Sequence, residues 1–184
     1  MKTAVLRSLA VAAFAVAASS SSYAATLDFS GLPFSNPSPL VLSNATLTNF
    51  TSGTIFVGAS AAGQPDGFCF AGSGCEADGE ISFVGAVSNL SFDTDGWNPG
   101  DTVTITAYNG TTALGSLTAT SDTNLNFSSF GAITRLFFDD SSTGAGMGYS
   151  TFRFDAGTVS VPEPGTLALV GLALLCGARL RRTR

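Results

Sequence analysis

From Thr26 to Asp155, apolar and polar residues alternate in short runs, and each run is closed by glycine, proline, asparagine, aspartate or serine. Successive side chains of an extended chain point to opposite faces, so a period of two predicts half-buried β-strands. The clearest case is Asp101 to Tyr108, in which Val103, Ile105 and Ala107 face one side and threonines the other. Asn109-Gly110 follows as a hairpin turn or the start of a slightly longer one, and Ala113 to Thr120 returns as the antiparallel partner. Further strands are predicted at Thr26 to Phe29 (an edge), Thr46 to Phe50, Thr54 to Val57, Glu80 to Val84, Val87 to Asp93, Ala132 to Asp139 and Ser150 to Asp155. No stretch before Gly165 carries a helical period. The expected class is therefore all-β, a β-sandwich or barrel, of which an antiparallel two-sheet β-sandwich is the reading taken.

Two apolar runs break this rhythm. Leu9 to Ala18 follows a short basic segment (Lys2, Arg7) and leads to Ser22-Tyr23-Ala24, small residues at the two positions a signal peptidase reads. This predicts a signal peptide over residues 1–24, cut after Ala24 or alternatively Ala25, with a β-sandwich ectodomain over 25–160. The second run, Gly165 to Ala178, is fourteen uncharged residues, about 21 Å as a helix against a hydrocarbon core of roughly 30 Å. Arg179, Arg181, Arg182 and Arg184 close it. Arginines lengthen a short span by snorkelling and favour the cytoplasmic side, so a transmembrane helix over about 165–180 with an external ectodomain is expected.

Ahead of that helix stands Val161-Pro162-Glu163-Pro164. Its prolines hold the chain extended and cannot donate to a sheet ladder, as suits a stalk. The order of Pro-Glu-Pro, short apolar helix and arginine cluster, residues 161–184, resembles the PEP-CTERM sorting signal of Gram-negative bacteria. The resemblance implies an inner-membrane-anchored precursor, cleavage near Pro-Glu-Pro by a membrane-embedded exosortase, and a final station at the cell surface or in the exopolysaccharide matrix. The block from Val87 to Asp155 is similar to the jelly-roll ectodomains found on PEP-CTERM proteins, many of which resemble carbohydrate-binding modules.

Composition narrows the partners. Residues 25–160 contain two basic side chains, Arg135 and Arg153, against twelve acids, a net charge of −10. Such a surface repels nucleic acid and anionic lipid headgroups. Cys69 and Cys75 flank a loop in which Gly72 and Gly74 permit a tight reversal, and a disulfide is expected in an exported chain. The chain has no histidine, which removes Ser-His-Asp and Cys-His mechanisms and histidine-based metal sites. Lysine is absent from 25–160, which removes Ser-Lys and Schiff-base options.

Carboxylates remain. No spacing pairs them across a cleft as a glycoside hydrolase requires, so no catalytic residue is named and no enzyme is predicted. Calcium is the cofactor to weigh, with Asp93, Asp95, Asp101, Asp139 and Asp140 as loop candidates. Turn formation and solubility are the simpler use of these aspartates. Trp97 is the single tryptophan, standing among turn residues. It either stacks on a sugar ring, with Tyr108 and Tyr149 extending the platform, or plugs one end of the sandwich. The functional expectation is a non-catalytic structural or adhesive component of envelope or biofilm matrix. A carbohydrate-binding module is the alternative, and a glycoside hydrolase stands third.

Overall fold

The computed structural model describes residues 23–157. Residues 1–22 of the expected signal segment, the sorting motif, the expected apolar helix and the arginine cluster lie outside the described residues.

Twelve strands form one connected antiparallel network. In chain order they are β1 (Tyr23–Ala25), β2 (Ser35–Pro37), β3 (Leu40–Val41), β4 (Ala45–Asn49), β5 (Thr54–Val57), β6 (Phe68–Phe70) and β7 (Gly79–Asp95). After them come β8 (Val103–Asn109), β9 (Thr112–Ala119), β10 (Thr123–Asn126), β11 (Ile133–Asp140) and β12 (Gly148–Ala156). One helical turn, Ala59–Ala62, and a 3₁₀ turn, Ser128–Phe130, interrupt them.

The two runs expected at Glu80 to Val84 and Val87 to Asp93 are one strand. Strand β7 is 17 residues long and every other part is arranged on it. Its first half, Gly79 to Phe83, lies between β4 and β11, and β11 continues to β8 and β9. Its second half, Val87 to Asp95, lies between β12 and β10, and β12 leads on to β6, β5 and β2. The change of neighbours falls at Val84-Gly85-Ala86. There six residues of β7, Ser82 to Val87, span what the three residues Ile133 to Arg135 span on β11.

Two opposed bulges keep the inward face in phase. Along β7 the buried positions run Gly79, Ile81, Phe83 and Val87, then shift to Leu90, Phe92 and Thr94. The extra residue is Asn89, at φ +51°. On β12 the inward set shifts from Tyr149 to Phe152 and Phe154, and the extra residue is Thr151, at φ +55°. A bulge adds one residue and so reverses which face every later side chain takes. Asn89 tolerates the left-handed region well and ties its amide to Asp155 Oδ2 at 2.7 Å. Thr151 is β-branched and pays a steric cost for the same re-phasing.

The rings so aligned make the core. Phe92 stacks on Phe152 with centroids 4.4 Å apart, Phe138 lies 4.6 Å from Tyr149, and Phe68, Phe70 and Phe127 close round them. Buried Leu47, Ile55, Ile81, Leu90, Ile105 and Ile133 fill the remainder.

Several local expectations need correction. Thr26 to Phe29 is not a strand. The paired residues are Tyr23–Ala25, opposite Phe154 to Ala156, while Leu27 and Phe29 are buried without ladder pairing. A side-chain turn in which Ser30 N–H donates to Asp28 Oδ1 at 2.9 Å bends the chain there. If a peptidase cuts after Ala24, Ala25 alone of β1 stays in the product. The hairpin after β8 has Gly110 and Thr111 as its two loop residues, with Asn109 paired to Thr112 and Gly110 at φ +57°. Glycine at the first of two loop positions suits the strand twist as the expected Asn-Gly pair would have done.

Candidate functional site

Two places gather side chains that could do chemistry. The first is the end of the network where β11 finishes and β8 and β12 begin. Asp140 ends β11; its N–H donates to Asp78 Oδ1 at 2.9 Å, and its own Oδ1 accepts the Ser142 N–H at 2.9 Å. Asp101 is buried ahead of β8, accepting the Asn98 N–H at 2.9 Å and the Gly146 N–H at 3.3 Å. Cys69 and Cys75 close the neighbouring loop with sulfurs 2.06 Å and Cα atoms 5.4 Å apart. Glu76 folds back into that loop and accepts from Ser73 N, Ser73 Oγ and Gly74 N at 2.5, 2.6 and 2.6 Å. Partial burial opposes its charge, but these donors outweigh it and hold the carboxyl below its usual range.

Tyr149 points into the core behind this end and is fully buried, so it forms no exposed platform with Trp97 and Tyr108. That expectation fails because the Thr151 bulge lies beyond it and the inward phase of β12 includes position 149. Among the described residues, neither the Tyr149 hydroxyl nor Asp140 Oδ2 meets a hydrogen-bond partner. Burial raises the Tyr149 phenol well above its ordinary value, with Asp140 and Asp78 adding to the rise.

Asp140 is also raised, mainly by burial and further by Asp101 and Asp78, against the Ser142 hydrogen bonds. A raised carboxyl means that the folded chain binds the proton more tightly than the unfolded chain. This group's contribution is therefore present below about pH 4 and lost as pH rises through the shifted value. Asp140→Asn keeps an acceptor for Ser142 and removes the buried charge. We expect it to raise the melting temperature at pH 7 and to match the parent below pH 4. Thermal unfolding at the two pH values checks this; a lower midpoint at pH 7 would contradict it.

The five aspartates weighed for calcium do not converge. Asp93 accepts from Asn124 Nδ2 at 2.7 Å, Asp95 accepts from the Ser150 hydroxyl, Asp139 is exposed, and Asp101 and Asp140 make the turn contacts above. Among the described residues no three His, Cys, Asp or Glu side chains are grouped to hold a metal ion.

The second place is the outer face of β3, β4, β7, β11, β8 and β9. Residues directly opposite on neighbouring strands share a face. One row therefore reads Val41, Thr46, Ser82, Arg135, Tyr108, Ala113, and the next reads Thr48, Glu80, Phe137, Thr106, Ser116. Arg135 lies flat: its Nη1 is 2.8 Å from Glu80 Oε2, and its guanidinium carbon sits 3.9 Å from the centre of the Tyr108 ring. Phe50 packs beside Phe137 with centroids 6.1 Å apart. Hydroxyl pairs Thr104 with Thr118 (3.1 Å) and Thr106 with Ser116 (2.9 Å) continue the surface to the edge.

Trp97 is 37% exposed and does not belong to this face's rows. Its indole N–H donates to the Asp101 carbonyl at 3.2 Å and its backbone N–H to Asp122 Oδ1 at 2.8 Å, which fixes the loop before β8. Sequence reasoning named Tyr108 but missed Arg135, Glu80, Phe137 and Phe50 as its companions. Odd-numbered Arg135 and Phe137 in the β11 run did signal a common face; only the register says which tyrosine lies under the arginine.

Residues 160–182 match the family model for the PEP-CTERM protein-sorting motif. No curated protein and no solved structure matches the chain. The chain thus carries a PEP-CTERM sorting domain, the mark of an exported protein that is anchored in a membrane before an exosortase processes it.

Proposed function

We propose that the β-domain is a non-catalytic structural or adhesive component of the envelope or extracellular matrix of a Gram-negative bacterium. In this reading residues 1–24 are the leader, 25–160 the displayed domain and 161–184 the removable anchor. The observation that carries it is the employment of the carboxylates. Asp28, Asp93, Asp101, Asp122, Asp140 and Glu76 each accept hydrogen bonds that shape a turn or fasten a strand. Groups so engaged support a rigid display scaffold, not paired acid and base. The two halves of β7, with different neighbours on each, are compatible with a jelly-roll sandwich of two layers sharing one strand. A carbohydrate-binding module is the second reading, favoured by the aromatic side chains left outside the core around Arg135.

Fractionation of the native host tests the proposal. The processed chain is expected in the envelope or matrix fraction, bound without turnover of the polysaccharide around it. Recovery from the cytosol, or glycoside hydrolysis abolished by changing an acidic pair to amides, would overturn it.

A further inference from the structure

We propose that the open face around Tyr108, Arg135 and Phe137 is the domain's binding surface, and that its ligand is an uncharged polysaccharide chain lying across the strands. The inference rests on the carbohydrate-binding reading above and gives that reading a place and a ligand class.

Apolar exposure is concentrated on this face. Three of the five large hydrophobic side chains left exposed among the described residues belong to it or border it: Val41 (71%), Val84 (69%) and Phe50 (56%). Val84 continues the outward series Glu80, Ser82 of β7, and Val41 opposes Thr46. The three stand on one face of the sheet around a polar centre, Val41 on β3, Val84 on β7 and Phe50 just beyond β4. Six strands at about 4.8 Å make a strip roughly 24 Å wide, long enough for an extended ligand.

The side chains decide which partner fits. A protein interface core is depleted in charged residues and serine. Here the centre is an Arg135–Glu80 ion pair ringed by Thr46, Thr48, Ser82, Thr106 and Ser116. Rings beside hydroxyls and a guanidinium suit a sugar, whose C–H face stacks on an aromatic while its hydroxyls exchange hydrogen bonds at the rim. Charge excludes the acidic glycans: the domain carries −10, and Arg135 already answers Glu80. An anionic chain would meet net repulsion everywhere beyond that one cation.

Arg135 then acts as a positioning residue. Its guanidinium covers one face of the Tyr108 ring and pairs with Glu80, so the orientation of the ring is fixed before binding.

Affinity electrophoresis of the processed protein from its host, in gels carrying dextran, galactomannan, hydroxyethyl cellulose or alginate, tests this. At least one uncharged polymer is expected to retard the protein, and alginate is not. Tyr108→Ala and Phe50→Ser should each weaken retention by about tenfold, while Trp97→Phe leaves it unchanged. Tyr108→Phe, which keeps the ring, should retain most of the binding and guards against loss of fold; melting temperatures are compared throughout. Binding that survives both Tyr108→Ala and Phe50→Ser overturns the surface and leaves the carbohydrate reading standing. Absence of retardation by every uncharged polymer overturns both, and preference for alginate overturns the ligand class. None of these outcomes touches the envelope location, which fractionation reads separately.

Discussion

Gly146→Ala should destabilise the domain by about 3 kcal/mol or more, a large part of the 5–15 kcal/mol that holds an ordinary domain folded. Two costs act together. Gly146 has φ +75°, a left-handed conformation costing an L-residue about 1–2 kcal/mol. A β-carbon there would also overlap the Cys75 carbonyl and the Glu76 amide nitrogen. These are backbone atoms pinned by the disulfide and by Cys75 N–H donating to Ala145 O at 2.6 Å, so they cannot step aside; overpacking of this kind costs about 1–3 kcal/mol more. Gly110→Ala is the control, since its φ is +57° but nothing lies within 4 Å of an added carbon. It carries the conformational cost alone. Urea unfolding of the two variants separates the terms, and equal midpoints would show that the contact between the disulfide loop and the start of β12 is slack.

That contact explains why the chemistry at this end could not be seen in one dimension. Asp78, Asp101 and Asp140 are brought near one another by β7, β8 and β11, yet they lie far apart in the chain, and only Asp101 and Asp140 drew notice as turn aspartates. Alternation made β8 and β11 legible because each has one buried and one open face. Strand β6 was not legible: Phe68, Cys69 and Phe70 are all buried, so no alternation exists to read, and the glycines that follow suggested a loop. The bulges at Asn89 and Thr151 escaped for a different reason. A single inserted residue leaves each flank with a period of two and merely shifts its phase, so both bulges passed unseen inside the runs expected at Val87 to Asp93 and Ser150 to Asp155. Tyr149 was misplaced by that same shift. The network's edges are guarded in ways the sequence did signal only in part: β2 ends on Pro37, and β9 carries an extra residue between Ala113 and Gly115 where it leaves register with β8. Both devices discourage edge-to-edge pairing.

Replacing Pro162 and Pro164 by alanine, or Glu163 by glutamine, should abolish C-terminal processing while leaving the domain's melting temperature unchanged. The reason begins in the sheet. Strand β12 ends at Ala156, and Gly157 N–H still donates to Ala86 O at 3.1 Å. The matched sorting motif starts at residue 160, three residues and about 10 Å of extended chain later. So short a connection reaches a membrane-embedded enzyme only if the sheet releases the chain before the motif. Pro162 and Pro164 have no N–H to give to a ladder, so they keep the motif itself out of strand pairing. The paired proline variant therefore tests accessibility, and Glu163→Gln tests recognition of the charge alone. Intact mass of the protein from its host reads both: the expected product retains everything through Arg184 and stays in the membrane fraction. Normal trimming of the proline variant would mean that the enzyme draws its substrate out of the sheet. Normal trimming of Glu163→Gln would mean that the carboxylate is not what it reads.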